Sequence, residues 1–494
     1  MPLTKIVCTL GPATDEPEMI REMIRAGMTV ARLNFSHGNA EEKRAMTALV
    51  RRMAAQENVH IAIMGDLQGP KIRVGQLPAN GVQLKEGAEV ILTAGSVSTP
   101  QSEIPFPHPD LVEDIHAGDR LLLDDGAMEL LVTNVEPPRI QCRVITGGML
   151  SSHKGVNLPG VKLNIPALTD KDFADALLAL ELQLDYLALS FVRRAADVDD
   201  LRQFLMHHGA IPQQREVGQD PNLIPGLVAK IEKPEALDDL DAIVRASDAV
   251  MVARGDLGVE TTPERVPMAQ KTIIRLCNIL GKPVITATQM LQSMIDAPRP
   301  TRAEASDVAN AILDGSDAVM LSGETSIGKY PLETVRMMAK IAETVEASET
   351  FPYHQLLDAE PGPAIMGRAL ISHAISQATV RLSGATHARA ILTSTESGRT
   401  ARMVARHRPK PPLLGVTPFE TTARRMQMIW GVIPTVVIPF FHTDEMIETL
   451  VQAAVRQGYA RVGSRVVLTA GIPLDVHGVT NMVKVHTVRE DDIV

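Results

Sequence analysis

Aromatic side chains are scarce in this chain: one Trp, four Tyr and nine Phe among 494 residues. So few rings argue against a platform that stacks nucleic-acid bases, and the 23 Met are expected to fill many core gaps instead. Cysteine is scarcer still. Cys8, Cys142 and Cys277 lie far apart and are odd in number, which fits a reducing, cytoplasmic setting better than a disulfide framework. They form no zinc-type pair, and no His/Cys cluster suggests zinc elsewhere. No apolar run approaches the ~18 residues of a membrane span, and the opening MPLTK does not start a signal peptide. A formal charge of −10 argues against general nucleic-acid binding.

What is present is ordinary for a globular protein in total and unusual in order. At 494 residues the chain is too long for one core, so roughly three domains are expected. Short β-rich runs alternate with amphipathic stretches, the pattern of parallel strands joined by helices. The strands read as TKIVCTL, TVARLNF, HIAIMGD, DYLALSF, GLVAKIE, DAVMVARGD, PVITATQM and DAVMLSG. Helices are expected over 15–27, 39–57, 170–183, 195–208, 234–246, 263–281, 301–314 and 331–347. These β-α units predict a (β/α)8 TIM barrel formed by residues 1–70 and 167–345. The interval 71–166 changes character, with short antiparallel strands and Gly-rich turns, and reads as an inserted small β-barrel lid. Pro70 and Pro166 stand at its junctions, so the insert can swing. From 355 to 494 the pattern restarts as an open-sheet α/β domain. Its strands are HARAILTST, PPLLGVTP and SRVVLTAGIP, and its helices run over 365–382 and 444–457.

In such a barrel the functional groups stand at the C-terminal strand ends. Polar residues concentrate there: Arg32, Asn34, Ser36 and His37 after strand two, Asp66 after three, Ser190 after four. Lys230 and Glu232 follow strand five, Arg254 and Asp256 six, Thr288 and Gln289 seven, Ser322 and Glu324 eight. Lys230 and Glu232, two apart on a strand, face the same way. By themselves they read as an ion pair. Asp256 on the neighbouring strand adds a second carboxylate, and two hard-oxygen ligands suit Mg2+ or Mn2+. A cation beside Lys230, Arg32 and Arg73 makes an anion trap equipped for phosphoryl transfer. One match misleads: GETSIGK over residues 323–329 fits GxxxxGK, yet Tyr330 and Pro331 stand where a P-loop needs Ser or Thr.

The segments TKIVCTLGPAT, ARLNFSHG, GPKIRVG, GVNLPG, KIEKPEAL, MVARGDLGVE, ATQMLQSM, PRPTRAEASDVANAILDGSDAVMLSGET and the tail VHTV together resemble pyruvate kinase, end to end and in the family's order. The resemblance implies transfer of the phosphoryl group of phosphoenolpyruvate to ADP, giving pyruvate and ATP. It assigns the divalent ion to Glu232 and Asp256, and the transferring phosphoryl group to Arg32 and Lys230. Gly255, Asp256 and Thr288 would take the substrate carboxylate. Thr288, Ser322 and Glu324 would lie on the proton path to the enolate, and Asn34, His37, Arg73 and Lys154 would meet the nucleotide phosphates. A homotetramer is the family's expectation.

Many members hold K+ with groups equivalent to Asn34, Ser36, Asp66 and the carbonyl of Leu67. Those members carry glutamate at the place of Lys71, so this chain resembles the branch that works without K+, its ammonium group supplying the charge. In the C-terminal domain, Thr393, Ser394, Thr395, Ser397, Gly398, Arg399 and Thr400 precede a helix and by themselves read as a capped turn; the resemblance implies that this loop takes the phosphate of an allosteric effector. Glu396 stands where family members that bind fructose 1,6-bisphosphate often have lysine, which favours AMP or a sugar monophosphate. Two rival readings are an inactive phosphometabolite sensor and a metal-dependent lyase on pyruvate-like substrates. The first sits poorly with a complete set of Lys230, Glu232, Asp256 and Thr288, and the second leaves lid and tail unexplained.

Overall fold

The computed structural model describes residues 1–95, 103–161, 165–209, 220, 224–354, 356–358, 367–474 and 478–493. Strands β1 (Lys5–Thr9), β2 (Val30–Asn34), β3 (Ala62–Asp66), β4 (Tyr186–Leu189), β5 (Gly226–Ile231), β6 (Ala249–Ala253), β7 (Val284–Ala287) and β8 (Ala318–Leu321) pair in sequence order into a closed parallel barrel. Both faces of these strands are covered, which is why they read as continuous apolar runs rather than alternating ones. Val7, Val30, Met64, Val228, Met251 and Met320 pack in an inner cluster, and Met428, from far along the chain, joins it. Alternate residues such as Ile6, Cys8, Ala31 and Leu33 pack in the outer core with the helices.

The helices follow the expected spans closely. Asn39, Thr169 and Thr301 each accept the N3 backbone N–H while Glu42, Asp172 and Glu304 reach back, so three starts are fixed by capping boxes worth about 1 kcal/mol each. Two expected helices are interrupted. The span 234–246 breaks at Asp239 into Pro234–Asp238 and Leu240–Ala246. The span 263–281 opens with a tight turn, Pro263–Arg265, because Pro267 lacks an N–H and is tolerated in the first turn of Val266–Leu280.

The insert has its own core, built from Leu92, Phe106, Leu121, Leu130, Val132 and Ile140 among others. Its main sheet runs in the order Val156–Asn157, Arg120–Leu123, Met128–Glu136, Arg139–Thr146, Glu89–Ala94, Glu103–Phe106. A second pair joins Gly148–Leu150 to Val82–Leu84. These pairs are antiparallel as expected, except that Glu89–Ala94 and Glu103–Phe106 run parallel. A two-residue period is common to both directions, so the sequence pattern does not reveal this.

In the C-terminal domain β9 (Ala390–Ser394), β10 (Leu413–Thr417), β11 (Val432–Val436), β12 (Arg465–Ala470) and β13 (Met482–Thr487) form an open sheet in the order β11-β10-β9-β12-β13. All pairs are parallel except β12 with β13. The order reverses at β9, so the loop after β9 sits at the switch point where open α/β sheets place their ligands. The helix expected over 365–382 runs Arg368–Ala385; residues 365 and 366 lie outside the described residues. That expected over 444–457 runs Thr443–Arg456.

The barrel floor is held by a repeated device. Thr29, Asp185, Asp248 and Asp317, each just before an even-numbered strand, accept the N–H of Ile6, Ile63, Leu227 and Val284 on the strand before (2.8–3.2 Å). Each aspartate also takes arginine: Arg51 (2.7 Å) and Arg424 (2.8 Å) on Asp185, Arg202 (3.0 Å) on Asp248, Arg408 (3.0 Å) on Asp317. Arg408 is buried against the ring of Trp430, and the backbone N–H of Trp430 donates to Asp317 as well.

Candidate active site at the barrel mouth

At the opposite end, β2 and β3 run in register, setting Asn34 beside Asp66. Arg32 donates through Nε to Asp66 Oδ2 (2.7 Å) and through Nη1 to Thr9 Oγ1 (2.8 Å). Lys230 Nζ stands 3.3 Å from Asp66 Oδ1 and 2.8 Å from Glu232 Oε1, and donates to Ser190 Oγ (2.7 Å). Ser190 Oγ donates in turn to the carbonyl of Leu67 (2.7 Å), and Phe191 N–H donates to Glu232 Oε2 (2.7 Å). Side chains from five strand ends thus meet in one chain of contacts. The two carboxylates are almost wholly buried, while Arg32 and Lys230 keep 11% and 12% exposure, so it is the cations that face an incoming ligand.

The protonation states follow from burial and neighbours. Burial works to raise the Asp66 carboxyl, but the charges of Lys230 and Arg32 outweigh it and hold Asp66 below the usual carboxylate range. Burial opposes a charged Lys230; Asp66 and Glu232 prevail and hold its amine above the ordinary lysine value. For Glu232 burial wins, helped by the charge of Asp256, and pushes the carboxyl up to about 7. Glu232 and Asp256 are therefore close enough to repel, a strain that a hard cation between them would relieve. No group of three or more His, Cys, Asp or Glu placed to hold a metal occurs among the described residues; Glu232 and Asp256 offer two carboxylates. Asp256 stands in the first turn of a short helix, Arg254–Glu260, and not on the strand end expected for it. Gly255 and the residues after it turn back over the mouth as soon as β6 ends.

Thr288 Oγ1 accepts the N–H of Gly255 (2.8 Å) and donates to the carbonyl of Ala287 (2.6 Å). Thr288 (φ 69°) and Gln289 (φ 53°) are both left-handed, at a cost of about 1 kcal/mol or more each. Arg254 holds them there, donating to the carbonyl of Thr288 (2.7 Å) while pairing with Asp307 (2.8 Å). Ser322 follows β8 at the same rim. Glu324 is fully buried and its oxygens accept the N–H groups of Leu291 (3.2 Å) and Ser322 (2.7 Å), so it braces two rim loops.

A second cationic group lies beside this. Burial, then Arg73, Lys43, Lys71 and Arg32 in that order, hold His37 below the ordinary imidazole value. Arg73 donates to the carbonyl of His153 (2.8 Å), tying the insert's first and last segments together. Asn34 Oδ1 accepts from Ser36 N–H (3.0 Å). Lys154 stays within the insert, paired with Asp124 (2.8 Å). Lys71 lines the cleft between insert and barrel with Asp125, Asn157, Lys233, Asp256 and Glu260. Across that cleft Asn157 donates to Glu260 (2.7 Å), which also pairs with Lys233 (2.8 Å). Sequence reasoning missed Lys43 and Lys171, the latter donating to the carbonyl of Phe35 (2.7 Å); both sit in first turns of capped helices that start on this face, which was the available signal.

The GxxxxGK match is no P-loop: Lys329 is exposed and pairs with Asp296 at the surface (2.7 Å). The C-terminal loop lies in a different sheet from the mouth. There Thr393 Oγ1 donates to the carbonyl of Leu414 (2.9 Å) and Thr400 Oγ1 bonds Thr480 (3.1 Å), while Ser397 and Arg399 are exposed and Gly398 (φ 79°) caps the helix Arg399–Ala405. No helix among the described residues is long and apolar enough to cross a membrane.

A (β/α)8 barrel with buried acids, basic side chains and hydroxyls converging under an inserted domain defines an enzyme class that handles phosphoryl groups. Comparison with known proteins narrows the class. The family model for the pyruvate kinase barrel domain matches residues 1–335, and that for the pyruvate kinase alpha/beta domain matches 373–486. The chain is 44% identical over 489 residues to pyruvate kinase of Geobacillus stearothermophilus, covering 99% of this chain and 80% of that one. To pyruvate kinase of Clostridium acetobutylicum it is 42% identical over 490 residues, covering 99% and 100%. The crystal structure of a pyruvate kinase from Cryptosporidium parvum superposes with a TM-score of 0.88 at 35% identity, covering 98% and 96%. The chain belongs to the pyruvate kinase family and is a phosphotransferase.

Proposed function

We propose that this protein moves the phosphoryl group of phosphoenolpyruvate to the β-phosphate of ADP, releasing pyruvate and ATP. The observation that carries the reading is the single mouth in which Lys230 joins Asp66 and Glu232 while Asp66 holds Arg32. The transferring group would sit against Arg32 and Lys230, whose charges are fixed before substrate arrives and need no reorganisation. As the bond from phosphorus to the enol oxygen breaks, Lys230 faces the negative charge left there. The substrate carboxylate would meet the amides of Gly255 and Asp256 and the hydroxyl of Thr288. The enolate carbon then takes a proton at the rim where Thr288 and Ser322 stand, with Glu324 holding that rim in place. Glu232 and Asp256 would hold Mg2+ or Mn2+, which supplies positive charge to the phosphoryl and enolate oxygens when bound. Asn34, His37, Arg73 and Lys154 would take the nucleotide phosphates, Lys154 by leaving Asp124. A pyruvate-coupled assay with Mg2+ and ADP tests the reading; no phosphoenolpyruvate-dependent pyruvate would overturn it.

The same reading covers what the chain needs besides its substrates. Residues 1–70 with 167–345 would be the catalytic domain, 71–166 the lid, and 355–494 the regulatory domain of a cytoplasmic homotetramer. Lys71 supplies the charge that K+ brings to other members at Asn34, Ser36, Asp66 and Leu67; at roughly 7 Å and an effective dielectric near 20, one unit charge contributes about 2 kcal/mol. Near-full activity is expected in K+-free buffer, and Lys71→Glu should lose activity and regain part of it with K+. An unchanged variant would end the idea. The loop 393–400, at the sheet's switch point, would take the phosphate of AMP or a sugar monophosphate; fructose 1,6-bisphosphate as the strongest activator would overturn that assignment.

A further inference from the structure

Where the barrel floor meets the C-terminal domain there is a cleft of about 180 Å3, lined by Asn278, Gly281, Lys282, Asp317, Arg402 and Arg406 among others. Its cations lack what the rest of the floor has. Lys282 Nζ donates to the carbonyls of Arg245 (3.1 Å) and Ser247 (2.5 Å). Arg406 donates to the carbonyl of Ile279 (2.8 Å) and contacts the rings of His373 and His407. Arg402 makes no side-chain hydrogen bond among the described residues, and its Nε is buried without a partner. None of the three forms an ion pair among the described residues. The nearby acids are already taken: Asp317 by Arg408, Trp430 N–H and Val284 N–H, and Asp248 by Arg202 and Leu227 N–H. Burial pushes Lys282 down to about 8 and Arg406 to about 10, and lowers Arg402 as well, as expected where charge is uncompensated. Arg406 is buried and Lys282 and Arg402 are half-buried, and desolvated cations without counter-charges are costly and rarely kept.

We propose that this cleft is a site for one tetrahedral oxyanion, held between Lys282 of the barrel and Arg402 and Arg406 of the C-terminal domain. The cleft is small, about 180 Å3 including its open side, so what it holds is inorganic phosphate or the phosphate of a small carrier. Arg402 lies in the helix that starts at Gly398 and Arg406 caps its end, while Lys282 leads into β7, whose other end carries Thr288. A bound anion would therefore fasten the barrel to the helix that follows the loop 393–400.

Selenate, a tetrahedral dianion with an anomalous signal, can be soaked into crystals of the full chain grown without phosphate or sulfate. The expected result is an anomalous peak within hydrogen-bond reach of Lys282 Nζ and the Arg402 guanidinium. Peaks confined to the mouth or to surface lysines, an adventitious ion only, would overturn the site. In parallel, thermal stabilisation by inorganic phosphate is measured with phosphoenolpyruvate saturating the mouth, for the wild type, Lys282→Met and Arg402→Gln. Each variant should need about tenfold more phosphate, and Arg402→Gln, which breaks no hydrogen bond within the described residues, should be no less stable than the wild type in phosphate-free buffer. Identical phosphate dependence in all three proteins refutes the proposal. Glycerol 3-phosphate separates the sources: equal stabilisation assigns a phosphate on a small carrier, and none assigns the free anion.

Discussion

The two ends of the barrel are both lined with acids and arginines, and they use them differently. On the floor each carboxylate of Asp185, Asp248 and Asp317 is shared between a strand N–H and an arginine, and the arginines on Asp185 and Asp317 come partly from another domain. At the mouth the acids bind cations of the barrel itself, and Arg32 and Lys230 keep a face toward solvent. The charges of these three aspartates are satisfied by protein alone; mouth charges are balanced so as to accept another. The difference teaches that pairing does not by itself separate structural from functional charge. Nor does exposure, since Arg51, Arg202 and Arg424 on the floor are more exposed than Arg32 or Lys230; the meeting of several strand ends in one cluster is what marks the mouth.

The largest effect expected from this contrast is on the mouth. Lys230→Met should lower kcat/KM about 10^3-fold, by loss of a fixed charge at the developing enolate. Its urea midpoint should move less than that of Asp317→Asn, and the reverse order would erase the contrast. Asp317→Asn leaves Arg408 buried without its anion and should cost about 3 kcal/mol of stability while kcat of the folded protein holds. Unfolding curves and assays on the same preparations decide both. A chelator should abolish turnover, and Glu232→Gln should raise the Mg2+ needed for half-maximal rate by about tenfold or more. An unaltered Mg2+ curve would remove Glu232 from the metal.

Acid should distinguish the mouth more gently. The Asp66 carboxyl lies below its ordinary 3.8 in the folded protein, so the unfolded chain binds more protons as pH falls. Its stabilisation is fully present above that ordinary value and fades below it. The stability gap between wild type and Asp66→Asn should be constant from pH 7 to 5 and narrow near pH 3. The smallest effect belongs to Asn157→Ala, which cuts the insert's hydrogen bond to Glu260 and should raise KM a few-fold (about 1 kcal/mol) with kcat nearly unchanged.

Much of this was legible in the sequence for a physical reason. Strands buried on both faces announce themselves as apolar runs, and polar residues at their ends mark the mouth, so Arg32, Asp66, Lys230 and Glu232 stand out in the sequence and meet in the structure. What stayed hidden depends on partners far along the chain. Nothing near Glu324 says that its carboxylate is used by Leu291 and Ser322, nor does the neighbourhood of Lys154 name Asp124. The strands β11 and β13 were missed because the first is broken by Pro434 and the second is a half-exposed edge. Asp256 was assigned to a strand because a buried run and the short helix after it share their apolar residues.

Met428 has one more consequence. It plugs the lower opening of the barrel's interior from outside, as a cork closes a flask. A chain ending near 346 would lose that cork together with Arg408, Arg424 and Trp430, leaving the inner cluster uncovered, Asp317 without its arginine and Asp185 with Arg51 alone. The first 346 residues contain every group assigned to catalysis, yet they are not an autonomous half of this protein.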